Sequence, residues 1–157
     1  SLTALTKGKV KKIIIVLGYQ NKDIKKVIKK NKKNIFVINK KFKLGMSSSI
    51  KTGLRKISKK DIGFIIVQSD MPFIKTLDIN KIYNSILNKK NLVHVLKFKN
   101  KIGNPIGFNS SVLEKFRKMK GDVGAKFMVK KLKNNTNFIK VSSRRVFKDF
   151  DLKKDFS

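Results

Sequence analysis

Two uninterrupted apolar runs, Ile13-Ile14-Ile15-Val16-Leu17 and Phe64-Ile65-Ile66-Val67, constrain this chain more than any other feature. Each is too short for a buried helix and too uniformly apolar for a strand with one wet face. Both read as strands covered on both sides, as in a parallel sheet with helices on its two faces. Ile35 to Ile38 and Leu92 to Leu96 add two more such runs. Between them lie stripes at helical spacing: Ile24, Val27 and Ile28; Ile50, Leu54 and Ile57; and Ile79, Ile82, Tyr83, Ile86 and Leu87. Strand alternates with helix, so the expected class is α/β.

The second half is less regular. Lys97 to Gly103 reads as a polar turn, after which Pro105 to Phe108 resumes an apolar run. Ser111 to Glu114 matches a capping box opening a helix that runs to Met119. Gly121-Asp122-Val123-Gly124 breaks the chain. Ala125 to Leu132 restarts as a helix with Phe127, Met128 and Leu132 available for burial, and Phe138 to Val141 makes a last short strand. At 157 residues the chain fits one domain with one layered core.

Composition narrows the chemistry. With no cysteine there is no disulfide, thiolate metal site or cysteine nucleophile. No apolar run approaches the ~20 residues that cross a bilayer, and the opening SLTALTKGKVKK has no signal-peptide core. A cytoplasmic location is expected, with no membrane partner. The net charge of +31 suggests a polyanion partner, yet only four of the basic residues are arginines, Arg55, Arg117, Arg144 and Arg145. Lysines spread along the whole chain read as a solvated surface and a coding bias, so no specific nucleic-acid partner is expected. A basic nucleic-acid-binding module without catalysis is the alternative from another class.

In an open parallel sheet, ligands bind beyond the carboxyl ends of the strands. Three segments there stand out: Gly18-Tyr19-Gln20, Gly45-Met46-Ser47-Ser48-Ser49, and Gln68-Ser69-Asp70-Met71-Pro72. A carboxylate leaving an apolar strand suits a hard cation that bridges phosphates, and Asp70 suits a turn cap equally well. Gly45 to Ser49 opens a helix whose free N–H groups would meet a nucleotide; Ser47 or Ser48 also suits an ordinary N-cap. Asp122 and the Asp149-Phe150-Asp151 pair are ambiguous in the same way, and His94 reads as a packed core imidazole.

Taken in order, KKIIIVLGYQ, GMSSSIKTGL, FIIVQSDMPFI, GNPIGF, KGDVGAK and DFDLKKDF resemble the nucleotidyltransferases of molybdenum cofactor biosynthesis, most closely the cytidylyltransferase branch. The resemblance implies a Rossmann-like three-layer sandwich with a mostly parallel, mixed sheet. It implies transfer of CMP from CTP to the phosphate of molybdopterin, with release of pyrophosphate and help from Mg2+; a GTP-using guanylyltransferase is the alternative. Carried onto this sequence, Asp70, Asp122 and Lys126 take the catalytic positions. Gly45, Ser47, Ser48, Ser49 and Ser69 bind nucleotide, Gly103, Asn104 and Pro105 line the acceptor side, and Asp70 with Asp151 hold the metal. Lys126 stands where the family has arginine, and Leu152-Lys153 where it has Thr-Pro.

The family's triphosphate loop, LAAG-x-S-x-R-M-G-x-x-K, has no counterpart here. Ser1 to Lys12 resemble the helix and turn that lead to the family's second strand, which makes residues 1–157 one amino-terminally truncated nucleotidyltransferase domain. The expectation is a sheet missing its first strand, unpaired edges beside the gap, and little or no activity from this chain.

Overall fold

The computed structural model describes residues 1–19, 21–58, 60–88 and 90–147. Helix α1 (Leu2–Lys7) leads to β1 (Ile13–Leu17), α2 (Asn21–Val27), β2 (Asn34–Ile38), α3 (Met46–Leu54) and β3 (Gly63–Ile66). Then come α4 (Thr76–Leu87), β4 (Val93–Phe98), β5 (Lys101–Asn109), α5 (Leu113–Arg117), α6 (Ala125–Lys131) and β6 (Thr136–Lys140). The α/β alternation expected from the apolar runs is present.

The strands form two sheets. β1 and β2 pair in parallel, and β3-β5-β4-β6 form a mixed sheet in which β5 runs against both of its neighbours. Lys12, just before β1, donates to Asp61, just before β3, at 2.7 Å, so the two strands start side by side. Among the described residues no strand joins them. Each of the two strands therefore pairs on one side only among the described residues.

Helices cover both faces of the larger sheet. Val93 and Val95 of β4, Phe64 and Phe108 pack with Leu54 of α3, Phe116 of α5 and Met128 of α6. The rings of Phe64, Phe108 and Phe116 meet at centroid separations of 4.9–5.4 Å, the tilted and stacked arrangements that aromatic quadrupoles favour. On the other face Ile82 and Ile86 of α4 pack on Leu96 and Val146. A Cβ on Gly107 would overlap Ile82 and stand 2.9 Å from Ile86 Cδ1, so α4 lies that close to the sheet only over a glycine. Arg145 fastens the carboxyl-terminal turn to α4: its guanidinium donates to the buried Asp78 carboxylate at 2.9 and 3.4 Å and to the Phe73 carbonyl at 2.8 Å. No helix of the described residues is long and apolar enough to cross a membrane.

Four local expectations need correction. Lys97 to Gly103 is no loop: β4 continues to Phe98 and β5 starts at Lys101, leaving a turn of Lys99 and Asn100. The lysines point away from the core, with Lys97 lying over the Phe138 ring, so a polar sequence still makes a hairpin. The capping box at Ser111 does not form, because Ser110 to Val112 wind as a 3-10 turn and Glu114 pairs with Arg117 instead. The helix that follows ends at Arg117, short of Met119. Phe127 is exposed, as α6 buries Ala125, Met128 and Val129.

Candidate functional site

The cleft opens where β1 and β3 end. Ser49, at the start of α3, Ser69 and Asp70, following β3, and Asn104, in β5, line one cavity of about 810 Å3 together with Gly18, Met46 and Gln68. These are the segments that the rule for parallel sheets singles out. Asp70 sits in a turn at the surface, and its carboxylate makes no hydrogen bond or ion pair among the described residues.

Asn104 reaches the cavity through an irregularity in the sheet. Val95 pairs with Ile106 while the next residue, Leu96, pairs with Gly103, so Asn104 and Pro105 bulge out of the β4 ladder. The Asn104 amide donates to Gln68 Oε1, while its Oδ1 is buried without a partner.

The serine segment is held from two sides. Gly45 adopts φ 86° and ψ −177°, a region open only to glycine, and a Cβ there would lie 2.7–2.8 Å from Asp122. Asp122 accepts from the Met46 N–H at 2.7 Å, and the Ser47 hydroxyl donates to the Gly121 carbonyl. The GMSSS and GDVGAK segments therefore lock together: Asp122 satisfies a free donor of the first turn of α3, and the negative charge suits that end of the helix dipole. Ser47 is accordingly spent on structure.

The second anchor is a residue that sequence reasoning missed. Asn39, buried just after β2, donates from Nδ2 to Ser48 Oγ at 2.8 Å and to Ser49 Oγ at 3.0 Å, and its Oδ1 receives the Lys41 N–H. Ser48 passes its own proton to the Lys41 or Gly45 carbonyl. Ser49 has no such acceptor among the described residues, so its hydroxyl proton remains available to the cavity it lines. One asparagine in an asparagine-rich chain carries no local signal; only its place directly after a strand could have pointed to it.

Lys126, at the start of α6, lies across β5: a Cβ on Gly103 would stand 3.4 Å from its Cε and 3.6 Å from its Nζ. The predicted acceptor segment and the predicted basic residue are thus neighbours. Asp151 lies outside the described residues. Among those described, no three His, Cys, Asp or Glu side chains gather as a metal cluster. His94 is core, as expected: Nδ1 lies 2.7 Å from Ser85 Oγ and Nε2 3.3 Å from Asn109 Oδ1, away from the cleft.

The fold is shared with solved structures at low sequence identity. Rv0371c from Mycobacterium tuberculosis H37Rv superposes with a TM-score of 0.74 at 15% identity over 89% of this chain and 71% of its own. The same protein, in a manganese complex, scores 0.74 at 15% identity over 89% and 73%. The 4-diphosphocytidyl-2C-methyl-D-erythritol synthase of Anaerococcus prevotii DSM 20548 scores 0.72 at 16% identity over 92% and 76%. A comparison with curated proteins returned no match. The sequence itself matches the MobA-like NTP transferase domain over residues 1–136, and the chain therefore belongs to that family of nucleotidyltransferases.

Proposed function

We propose that this fold moves a cytidylyl group from CTP to the phosphate of a molybdopterin-type acceptor, with Mg2+ and in the cytoplasm. The observation that carries this reading is the shared cavity: a free carboxylate, Asp70, lines the same space as the Ser49 hydroxyl and Asn104. That set suits a polar, phosphorylated ligand whose base presents acceptors to Ser49 and whose phosphates share a cation with Asp70. The attacking acceptor oxygen would form a bond to the α-phosphorus as the bond to the bridging β-phosphate oxygen breaks, releasing pyrophosphate. No protein nucleophile is needed, so the chain's task is to position groups and offset charge.

Asp70 fits a magnesium ion, which takes one or two carboxylates and fills its remaining positions with water and phosphate oxygens. When bound, the ion supplies neutralisation of phosphate charge; Asp151 would add a second carboxylate. In this reading Asn39 orients Ser49 toward the base, Gly45 and Asp122 fix the start of α3, and Ser48 and Ser69 shape the nucleotide side. Lys126 would lie over Gly103 against a phosphate, as a point charge in place of arginine's two-pronged donor. Gly103, Asn104 and Pro105 would form the acceptor wall. The sequence holds no LAAG-type loop to balance the leaving pyrophosphate, so little or no turnover is expected from these residues alone.

Binding is therefore the test. Calorimetric titration of the 157-residue chain with CTP and with GTP, at 150 mM salt and with or without Mg2+, should give Mg2+-dependent binding that favours CTP. Asp70→Asn should remove the Mg2+ dependence. Tighter GTP binding would overturn the choice of nucleotide, and unchanged Mg2+ dependence in Asp70→Asn would remove Asp70 from the site.

A further inference from the structure

The Asn39 side chain has every polar group engaged, and this fixes what Ser49 can offer. The Asn39 backbone N–H donates to the Leu17 carbonyl at 2.8 Å, which ties the residue to the cleft-side end of β1. Its side chain is buried, and the Lys41 N–H, which can only donate, sets the amide's orientation: Oδ1 meets that N–H and Nδ2 meets the serines. Turning the amide over would put Nδ2 against the Lys41 N–H, donor against donor. Both Nδ2 protons are then used, on Ser48 Oγ and on Ser49 Oγ.

The two serines differ in where their own protons go. Ser48 has the Lys41 and Gly45 carbonyls at 2.9 Å, so its proton stays within the protein. Ser49 accepts from Asn39, which cannot take a proton in return, and has no acceptor of its own among the described residues. It lines the cleft beside Gly18, Met46 and Ile50. Against that apolar wall it presents one proton, with Asn39 holding the oxygen from behind.

This polarity separates nucleobases of equal size. A donor placed at O2 of a pyrimidine separates nothing, because cytosine and uracil share that oxygen. At the next exocyclic group it favours uracil, whose O4 accepts, over cytosine, whose amino group donates. Only at N3 does it favour cytosine, since N3 is a bare acceptor in cytosine and carries a hydrogen in uracil. An N–H there would meet the Ser49 proton directly and leave two donors unpaired.

We propose that Asn39 is a specificity-determining residue: by keeping the Ser49 proton toward the cleft, it makes the site select the pyrimidine with a bare N3, CTP, and reject UTP. The inference rests on the nucleotide reading of the cavity and adds to it the residue that chooses between two bases of one shape.

Calorimetric titration of the 157-residue chain with CTP and with UTP, both with Mg2+, gives the ratio of their dissociation constants. The parent should favour CTP by about tenfold or more, the scale of one hydrogen bond. Asn39→Asp keeps an acceptor for the Lys41 N–H but draws the Ser49 proton onto its carboxylate, so the ratio should fall by about tenfold. Both probes carry the same triphosphate, so repulsion from the new carboxylate cancels in the ratio. A merely structural Asn39 would weaken both nucleotides equally and leave the ratio alone. Ser49→Ala should bring the ratio close to one, and adding Asn39→Asp to it should change the ratio no further; Ser49→Ala also supplies the test if Asn39→Asp does not fold. A parent that binds CTP and UTP equally or prefers UTP, or a CTP preference that both variants leave unchanged, would overturn this inference while nucleotide binding stands. A parent that binds neither would overturn the nucleotide reading and this inference with it.

Discussion

Replacing Gly45 with alanine tests whether the GMSSS glycine is there for the ligand or for the fold. Its backbone lies at φ 86° and ψ −177°, where a residue with a Cβ is strained by about 1–3 kcal/mol. The new Cβ would also stand 2.8 Å from both Cα and Cβ of Asp122 and 2.7 Å from its Oδ1. Backbone atoms cannot swing aside as a side chain can, so the 121–124 turn must shift and the hydrogen bond to the Met46 N–H is lost, at a further cost of about 1 kcal/mol. The two terms give about 2–4 kcal/mol, or a fall in melting temperature on the order of 5–15 °C for a chain of this size. Thermal denaturation followed by circular dichroism reads this directly. Asp122→Ala should lose only the capping share, about 1 kcal/mol. A Gly45→Ala protein within about 0.5 kcal/mol of the parent, below the scale of ordinary damaging mutations, would refute the packing argument and return Gly45 to a purely ligand-facing role.

Burial pushes the His94 imidazole below its ordinary 6.5, against the hydrogen bonds that favour its charged form. The folded state therefore prefers neutral His94, and its contribution to stability is complete above about pH 6.5 and declines as pH falls below that; urea midpoints measured from pH 7.5 to 5 should show this slope, and His94→Gln should flatten it. Burial raises the Asp61 carboxyl, but the hydrogen bond from Lys12, those from the Ser58 N–H and hydroxyl, and the Lys12 charge outweigh it and hold the group below the ordinary carboxylate range. Its stabilisation is present above about pH 4 and lost as pH falls further, and Asp61→Asn should cost about 1 kcal/mol at pH 7 by chemical denaturation. Asp78→Asn strands the Arg145 guanidinium and should cost about 2–3 kcal/mol in the same assay, less than for a fully buried pair because Arg145 is partly exposed.

The architecture was legible where burial on two faces removes ambiguity. Ile13 to Leu17 and Phe64 to Val67 could only be interior strands, and the helical stripes between them set the alternation. It was illegible where side chains snorkel: the lysines of Lys97 to Gly103 read as a loop because their apolar stems and solvated heads are one letter in the sequence. Asp70 was visible as an acid at a strand end. Asp122 was visible too, but its hold on the Met46 N–H depends on packing between segments far apart in the chain. Asn39 was invisible because its role lies in the two serine hydroxyls it meets, a geometry that no spacing encodes.

The central claim is that Asp70 anchors a divalent cation and nucleotide at the carboxyl ends of β1 and β3. Mn2+, added with CTP to isotope-labelled protein, broadens the NMR signals of nearby amides and so locates the ion in solution. Broadening should centre on Ser69 and Asp70, extend to Gly18 and Ser49, and vanish in Asp70→Asn. Broadening centred elsewhere, or unchanged in the Asp70→Asn protein, would contradict the account.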